Sequence, residues 1–362
     1  MAGKTESIYY TNSRFSKQLS QTTHASIELS LAMPISGAKF ANQIGICLHL
    51  LLCGYQPDVI MGTSGGCITG ALLVACGVGN IKCQESYIEF RNKLNNILSQ
   101  LDHTHYRTAW SDVAVFNTIQ AIAYGSLYNS GAGPTFIDPA SINIKHQPEL
   151  WIGTHCKDTG QSQLFCTKPQ RQSIIQMSDA IYLNNKIPDI LMCAIASSAV
   201  PSIIPPIKRK GYSYCDGGIS YASPLGPCMS AFDAKQLSYH VIYISAVRYN
   251  SADDPSTAEI EDDDVWNKIS SSTAGMVTGL HIADRNNGIR AVGKDPIKEI
   301  GCGKNFLKKC LRKQRRASRS FIELAPLKGV HINFLQMKQG DALKAVNEAY
   351  DNGFSVRHWY LM

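Results

Sequence analysis

The chain has no Cys-x-x-Cys pair, no apolar run long enough to cross a bilayer and no internal repeat, and each absence removes a class of protein. Twelve cysteines stand at 47, 53, 67, 76, 83, 156, 166, 193, 215, 228, 302 and 310, and their spacings match no zinc ribbon or finger. Cys47, Cys53, Cys76 and Cys193 lie inside apolar stretches, where a free thiol behaves as a small hydrophobe. The expectation is a reducing compartment and no disulfide framework. The longest apolar stretch, IGICLHLLLCGY over 44–55, contains His49 and falls short of the roughly 20 residues a spanning helix needs. Residues 1–25 are polar and rich in Ser and Thr, without the apolar core of a secretory signal. These features predict a cytoplasmic chain that is not secreted, with a flexible polar arm over 1–25 and a single domain over 26–362.

Charge is scarce, at 17% of residues, and unevenly placed around a net +7. KNFLKKCLRKQRRASRS over 304–320 is dense in Lys and Arg, whereas DDPSTAEIEDDD over 253–264 is acidic. The basic stretch suits contact with an anionic membrane surface, and a solvated loop or helix face is the plainer reading. No aromatic residue follows Phe306 within it, so it offers no stacking platform and nucleic acid is not an expected partner.

The ordering of apolar segments points to α/β architecture. IELSLAM (27–33) reads as a buried strand, PISGAKFAN as a loop, QIGICLHLLLCG as a helix, PDVIM (57–61) as a second strand and 64–75 as a second helix. Strand, helix, strand, helix implies a parallel sheet with crossover helices. Further on, ESYIEFRNKLNNILSQL predicts a helix, ELWIGTHC and QSQLFCTK predict paired strands, and PDILMCAIASSAV predicts a helix that stops at Pro201. YSYCDGG, SYHVIYISAV and SFIELAP read as strands, and GDALKAVNEAYDNGF as a closing helix.

Between the second strand and its helix, Gly62-Thr63-Ser64-Gly65-Gly66 satisfies G-x-S-x-G. In a nucleophile elbow the serine occupies a strained turn from strand to helix, where a bulky neighbour would clash. The helix start beyond it favours developing negative charge. GTSGG also resembles the GDSGG of trypsin-like proteases. Those are double β-barrels with an early Ala-Ala-His-Cys segment, and the upstream His24 and His49 lie in no such setting.

A serine nucleophile needs a base. His240, His281, His331 and His358 lie downstream of Ser64, each in a setting that reads as structural or surface. A sharper candidate is Asp216 in YCDGGISYASPL, because it ends a strand and Gly217 and Gly218 let the backbone turn away from its carboxylate. The alternative is an ordinary Asp-Gly turn. Two strand-end glycine turns carrying Ser64 and Asp216 suggest a two-residue device in which the carboxylate takes the serine proton.

On these residues the sequence resembles the patatin-like lipid acyl hydrolases. GYQPDVIMGTSGGCITGALLVACG is similar to the family's elbow region, and AIASSAVPSIIPP followed by YSYCDGGISYASPL to its approach to an Asp-Gly-Gly motif. The likeness covers 27–228 well and the C-terminal third loosely. It implies a three-layer α/β/α fold with a mostly parallel sheet, Ser64 as nucleophile, Asp216 as general base and no metal or cofactor. It also implies a phospholipid or another acyl-ester lipid as substrate.

The family's first loop, usually three glycines, a basic residue and another glycine, is altered. ISGAKF keeps Gly37 and places Lys39 at the basic position, with Ile35, Ser36 and Phe40 replacing glycines. Backbone N–H groups at Gly37 and Ala38 remain the expected oxyanion hole, while bulk at 35 and 40 would narrow the acyl slot. The competing expectation is a patatin-fold protein that binds lipid or a partner with weak catalysis.

Overall fold

The computed structural model describes residues 28–103, 147–167, 180–183, 187–201, 205–220, 222–234, 239–246, 265–314, 316–327, 340–351 and 353–361. The arm at 1–25, the acidic run at 253–264 and His331 therefore lie outside the described residues.

Eleven strands form one mixed sheet: β1 (Glu28–Met33), β2 (Val59–Thr63), β3 (Glu149–Cys156), β4 (Gln161–Thr167), β5 (Ala180–Leu183), β6 (Ile207–Arg209), β7 (Tyr212–Asp216), β8 (Tyr239–Ile244), β9 (Ile297–Cys302), β10 (Arg319–Pro326) and β11 (Phe354–Leu361). Their order is β5-β4-β3-β2-β1-β8-β10-β11-β9, with β7 paired to β3 and to β6. The centre, β3-β2-β1-β8-β10, is parallel. Its central strands are almost wholly apolar and buried on both faces, as a parallel sheet between helices requires.

Eight helices accompany the sheet: α1 (Phe40–Leu52), α2 (Gly65–Ala75), α3 (Gln84–His103), α4 (Ile187–Ser197), α5 (Leu225–Ala234), α6 (Val265–Val292), α7 (Gly303–Gln314) and α8 (Asp341–Asp351). Residues of α1, α2, α3, α4, α7 and α8 build the core on one face. Residues of α5 and the end of α6 build it on the other. The result is the three-layer α/β/α arrangement.

Helix α1 begins earlier than the apolar pattern predicts. A one-turn 3-10 helix at Gly37–Lys39 leads directly into it at Phe40, so the expected loop over 34–42 is largely helical. The reason is Phe40, which is fully buried in the core and recruits its own turn of helix. Helix α4 ends at Ser197 rather than at Pro201, where Ser198 and Ala199 donate back into its last turn. All twelve cysteines are free, and no described helix is long and apolar enough to cross a membrane.

In open α/β sheets the crevice lies beyond the carboxyl ends of the strands, where successive strands leave in opposite directions along the sheet. Here β1 is flanked by β2 on one side and β8 on the other. The loops after β1 and β2 open at that point.

Candidate active site

Sheet register brings the two motif residues together. Thr63, the last residue of β2, pairs with Gly153 of β3, and the next residue of β3, Thr154, pairs with Asp216 at the end of the antiparallel β7. Ser64 Oγ consequently donates to Asp216 Oδ2 at 2.7 Å. The other carboxylate oxygen, Oδ1, accepts from Gly218 N–H at 2.6 Å. One oxygen is thus held by the backbone while the other faces the serine.

Ser64 stands at φ 55 and ψ −131, between β2 and α2. A non-glycine residue in that region costs on the order of 1–3 kcal/mol, so the surrounding contacts must over-determine it. Its N–H donates to Ser197 Oγ at 2.9 Å, and Ser197 in turn donates to Gly153 O at 2.5 Å. The elbow closes against the loop after β1: a Cβ on Gly66 would fall 2.1 Å from Met33 O, and one on Gly65 would fall 2.5 Å from Gly37 O. Gly62 is pressed against the Gly66–Cys67 peptide, and Gly217 against Gly153 O and the Thr63 methyl.

Both residues of the pair are buried, Ser64 at 3% exposure and Asp216 at 6%. Burial pushes the Asp216 carboxyl up to about 6, against the opposing pull of the hydrogen bonds from Ser64 and Gly218. A carboxylate in that range is a stronger base than an ordinary aspartate yet remains ionised at neutral pH.

Gly37 takes φ 50, a left-handed conformation in which glycine carries no Cβ penalty. Gly37 and Ala38 begin the one-turn helix, and Gly65 begins α2. Their N–H groups are therefore those that a helix start leaves without internal partners. Because Ser64 N–H is engaged by Ser197, the backbone donors available beside Ser64 Oγ are Gly65 and the 37–38 pair.

Two further groups here escaped the sequence reading. Ser36 is fully buried, its hydroxyl has no hydrogen-bond partner among the described residues, and it lies where a Cβ on Gly65 would fall 2.4 Å away. His281, on α6, donates from Nε2 to Ile35 O at 2.7 Å, while Ile35 N–H donates to Ala222 O at 2.9 Å. Asp284, one turn further along α6, accepts from the hydroxyl of Ser223. Burial raises its carboxyl to about 7. Helix α6 thus braces the loop after β1 at two points. The polar pair His281 and Asp284, three residues apart and so on one helix face, was the available signal.

The bulky replacements in that loop are accounted for by packing. Phe40 is wholly buried in the core around α1, not at an acyl slot, and Ile35 is 4% exposed against Gly218. Burial holds His240 and His358 down at about 4. Neither hydrogen-bonds Ser64.

A family model described as "Patatin-like phospholipase" matches residues 36–229, more than half of the chain. No curated protein matches. Among solved structures the fold is similar to VipD from Legionella pneumophila, at 11% identity and a TM-score of 0.38, over 91% of this chain and 66% of that one.

Proposed function

The chain belongs to the patatin-like phospholipase family, and from that membership we propose that it is a serine-dependent lipid acyl hydrolase working through Ser64 and Asp216. Membership supports acyl hydrolysis of lipids in general. The observation that carries the finer reading is the 2.7 Å hydrogen bond from Ser64 Oγ to Asp216 Oδ2.

In this reading Ser64 Oγ attacks the ester carbonyl carbon as its proton passes to Asp216 Oδ2. The carbonyl oxygen becomes an oxyanion held by the N–H groups of Gly65, Gly37 and Ala38, each donor contributing on the order of 3 kcal/mol to the transition state. The Ser36 hydroxyl, standing against Gly65, supplies a further donor where the family places glycine. Collapse breaks the ester C–O bond, and the leaving alcohol takes the proton from Asp216. Water then gives its proton to Asp216, attacks the acyl-serine and releases the fatty acid. Gly218 N–H keeps Oδ1 occupied, so both transfers use Oδ2.

A glycerophospholipid is the proposed substrate. Ile219, next to the Asp-Gly-Gly turn, leaves 54% of its surface exposed, an apolar lip of the kind an acyl chain would cover. The test is product analysis by mass spectrometry on defined phospholipids, with the wild type against Ser64→Ala. Release of free fatty acid by the wild type alone is expected.

Contact with anionic lipid through the basic 304–320 stretch belongs to this proposal as a separate surface. Lys304 and Lys308 of α7 lie near His49, their charges helping to depress it, and His49 is in the last turn of α1. Phe40, at the start of that helix, adjoins the Ser64 loop about 20 Å away. Docking through α7 would therefore hold the protein at a surface by a side remote from Ser64. Salt-sensitive sedimentation with anionic vesicles, lost in Lys308→Glu/Arg312→Glu, is the expected sign.

A further inference from the structure

The corner formed by β9, α7 and β11 buries polar atoms whose needs the protein does not meet. His358 of β11 is fully buried, and neither of its ring nitrogens has a hydrogen-bond partner among the described residues. Glu299 of β9 stands directly across from it in the antiparallel ladder. Glu299 Oε1 is taken by Lys313, with Lys309 a further 3.8 Å contact, while Oε2 is buried and unpartnered. Cys310, on the inner face of α7, is likewise fully buried. One ligand atom from each of Glu299, Cys310 and His358 lies within 4.8 Å of the others.

Buried polar atoms are nearly always paired, and a cluster of exceptions calls for something that pairs them. The Glu299–Lys313 ion pair explains one carboxylate oxygen and leaves the imidazole and Oε2 unexplained. A carboxylate, a thiol and an imidazole converging in one place are the three side-chain ligand types of zinc.

We propose that Glu299 Oε2, Cys310 Sγ and a ring nitrogen of His358 bind a zinc ion that fastens α7 to β9 and β11. On binding, the Cys310 thiol gives its proton to solvent. The thiolate and carboxylate then balance the two positive charges of the ion. Lys313 stays on Oε1, where it orients the ligating carboxylate from outside, the role such partners play around zinc. The three ligands come from chain positions 299, 310 and 358, so the ion acts as a staple across segments far apart in sequence. The fourth position falls to water or to His240, whose Nδ1 is engaged with Ser320 at 2.8 Å and whose buried Nε2 has no partner among the described residues.

The test uses the full chain, stripped with chelator and titrated with zinc and with cobalt as a spectroscopic stand-in. The expected results are one metal per chain, a thiolate-to-cobalt charge-transfer band, and a melting temperature that rises with zinc and falls back with chelator. Cys310→Ser should remove the band, and His358→Gln should weaken zinc binding by more than the ~10–100-fold that losing an outer partner costs. Glu299→Gln, at a partly exposed side chain, serves if the two core variants fail to fold. It should keep the fold and lose affinity. No binding by the wild type, an unchanged band in Cys310→Ser, or a band that moves with the exposed Cys302 in Cys302→Ser would overturn the proposal.

Discussion

The crevice at Ser64 and the corner at Glu299 both bury carboxylates, and they differ in how the burial is resolved. Asp216 has a donor on each oxygen, one from Gly218 N–H and one from Ser64 Oγ. Glu299 has Lys313 on one oxygen only, beside a histidine with no partner on either nitrogen. The first arrangement is complete within the chain and stores its tension in the backbone of Ser64 and in a raised carboxyl. The second is incomplete within the described residues and calls for something added. A buried charged group is thus resolved either by local backbone donors or by a ligand, and the two regions show one case of each.

The largest effects should come from breaking the completed pair. Ser64→Ala and Asp216→Asn should each lower ester hydrolysis by about 10³-fold or more. The double variant should be no worse than either, because parts of one unit do not add. Steady-state hydrolysis of a chromogenic ester by all three variants checks this, and additive losses would separate the two residues.

Next in size is a packing effect at the same crevice. Phe40→Ala removes a fully buried ring from the first turn of α1 and should cost about 3–5 kcal/mol in denaturant unfolding. Faster hydrolysis of bulky esters with unchanged stability would instead place Phe40 in an acyl slot.

The raised Asp216 carboxyl carries a stability consequence of opposite sign to its catalytic one. Its folded pKa of about 6 exceeds the model value of 3.8. The contribution it makes is therefore fully present below pH 3.8 and lost as pH rises through 6. At pH 7 the charge costs the fold about 3 kcal/mol, and Asp216→Asn, which cannot ionise, escapes that cost. The inactive variant should melt above the wild type at pH 7 and match it near pH 4. A constant difference across that range would refute the burial argument.

The smallest of these effects concerns Ser36. Ser36→Ala should lower kcat by up to about 10²-fold with little change in KM, as loss of an oxyanion donor does. An unchanged kcat would leave the hole to the backbone alone.

Residues whose identity is forced by their immediate neighbours were legible in the sequence. Gly65 and Gly66 tolerate no Cβ because Gly37 O and Met33 O lie against them, so the turn announces itself as a spacing of glycines. Asp216 with Gly217 and Gly218 announces itself the same way. The strands β1, β2, β3, β4, β7 and β8 were visible as apolar runs for a related reason: most are buried throughout. What stayed hidden depends on partners distant in sequence. Strand β9 alternates partly and fully exposed residues at a sheet edge, and α6 opens with serines and threonine that carry little helical signal. His281 acts on Ile35, 246 positions away, and the Glu299 cluster needs β9, α7 and β11 assembled before its members meet. Local close approach leaves a trace in sequence, whereas long-range convergence does not.

The central claim is that Asp216 is the base for Ser64, and the pH dependence of covalent labelling tests it most directly. A fluorophosphonate should label Ser64 in the wild type at a rate that rises through an apparent pKa near 6. Asp216→Asn should label at least about 10²-fold more slowly, with that limb absent. Wild-type labelling rates in Asp216→Asn, with the limb intact, would contradict the account and assign the base to another residue.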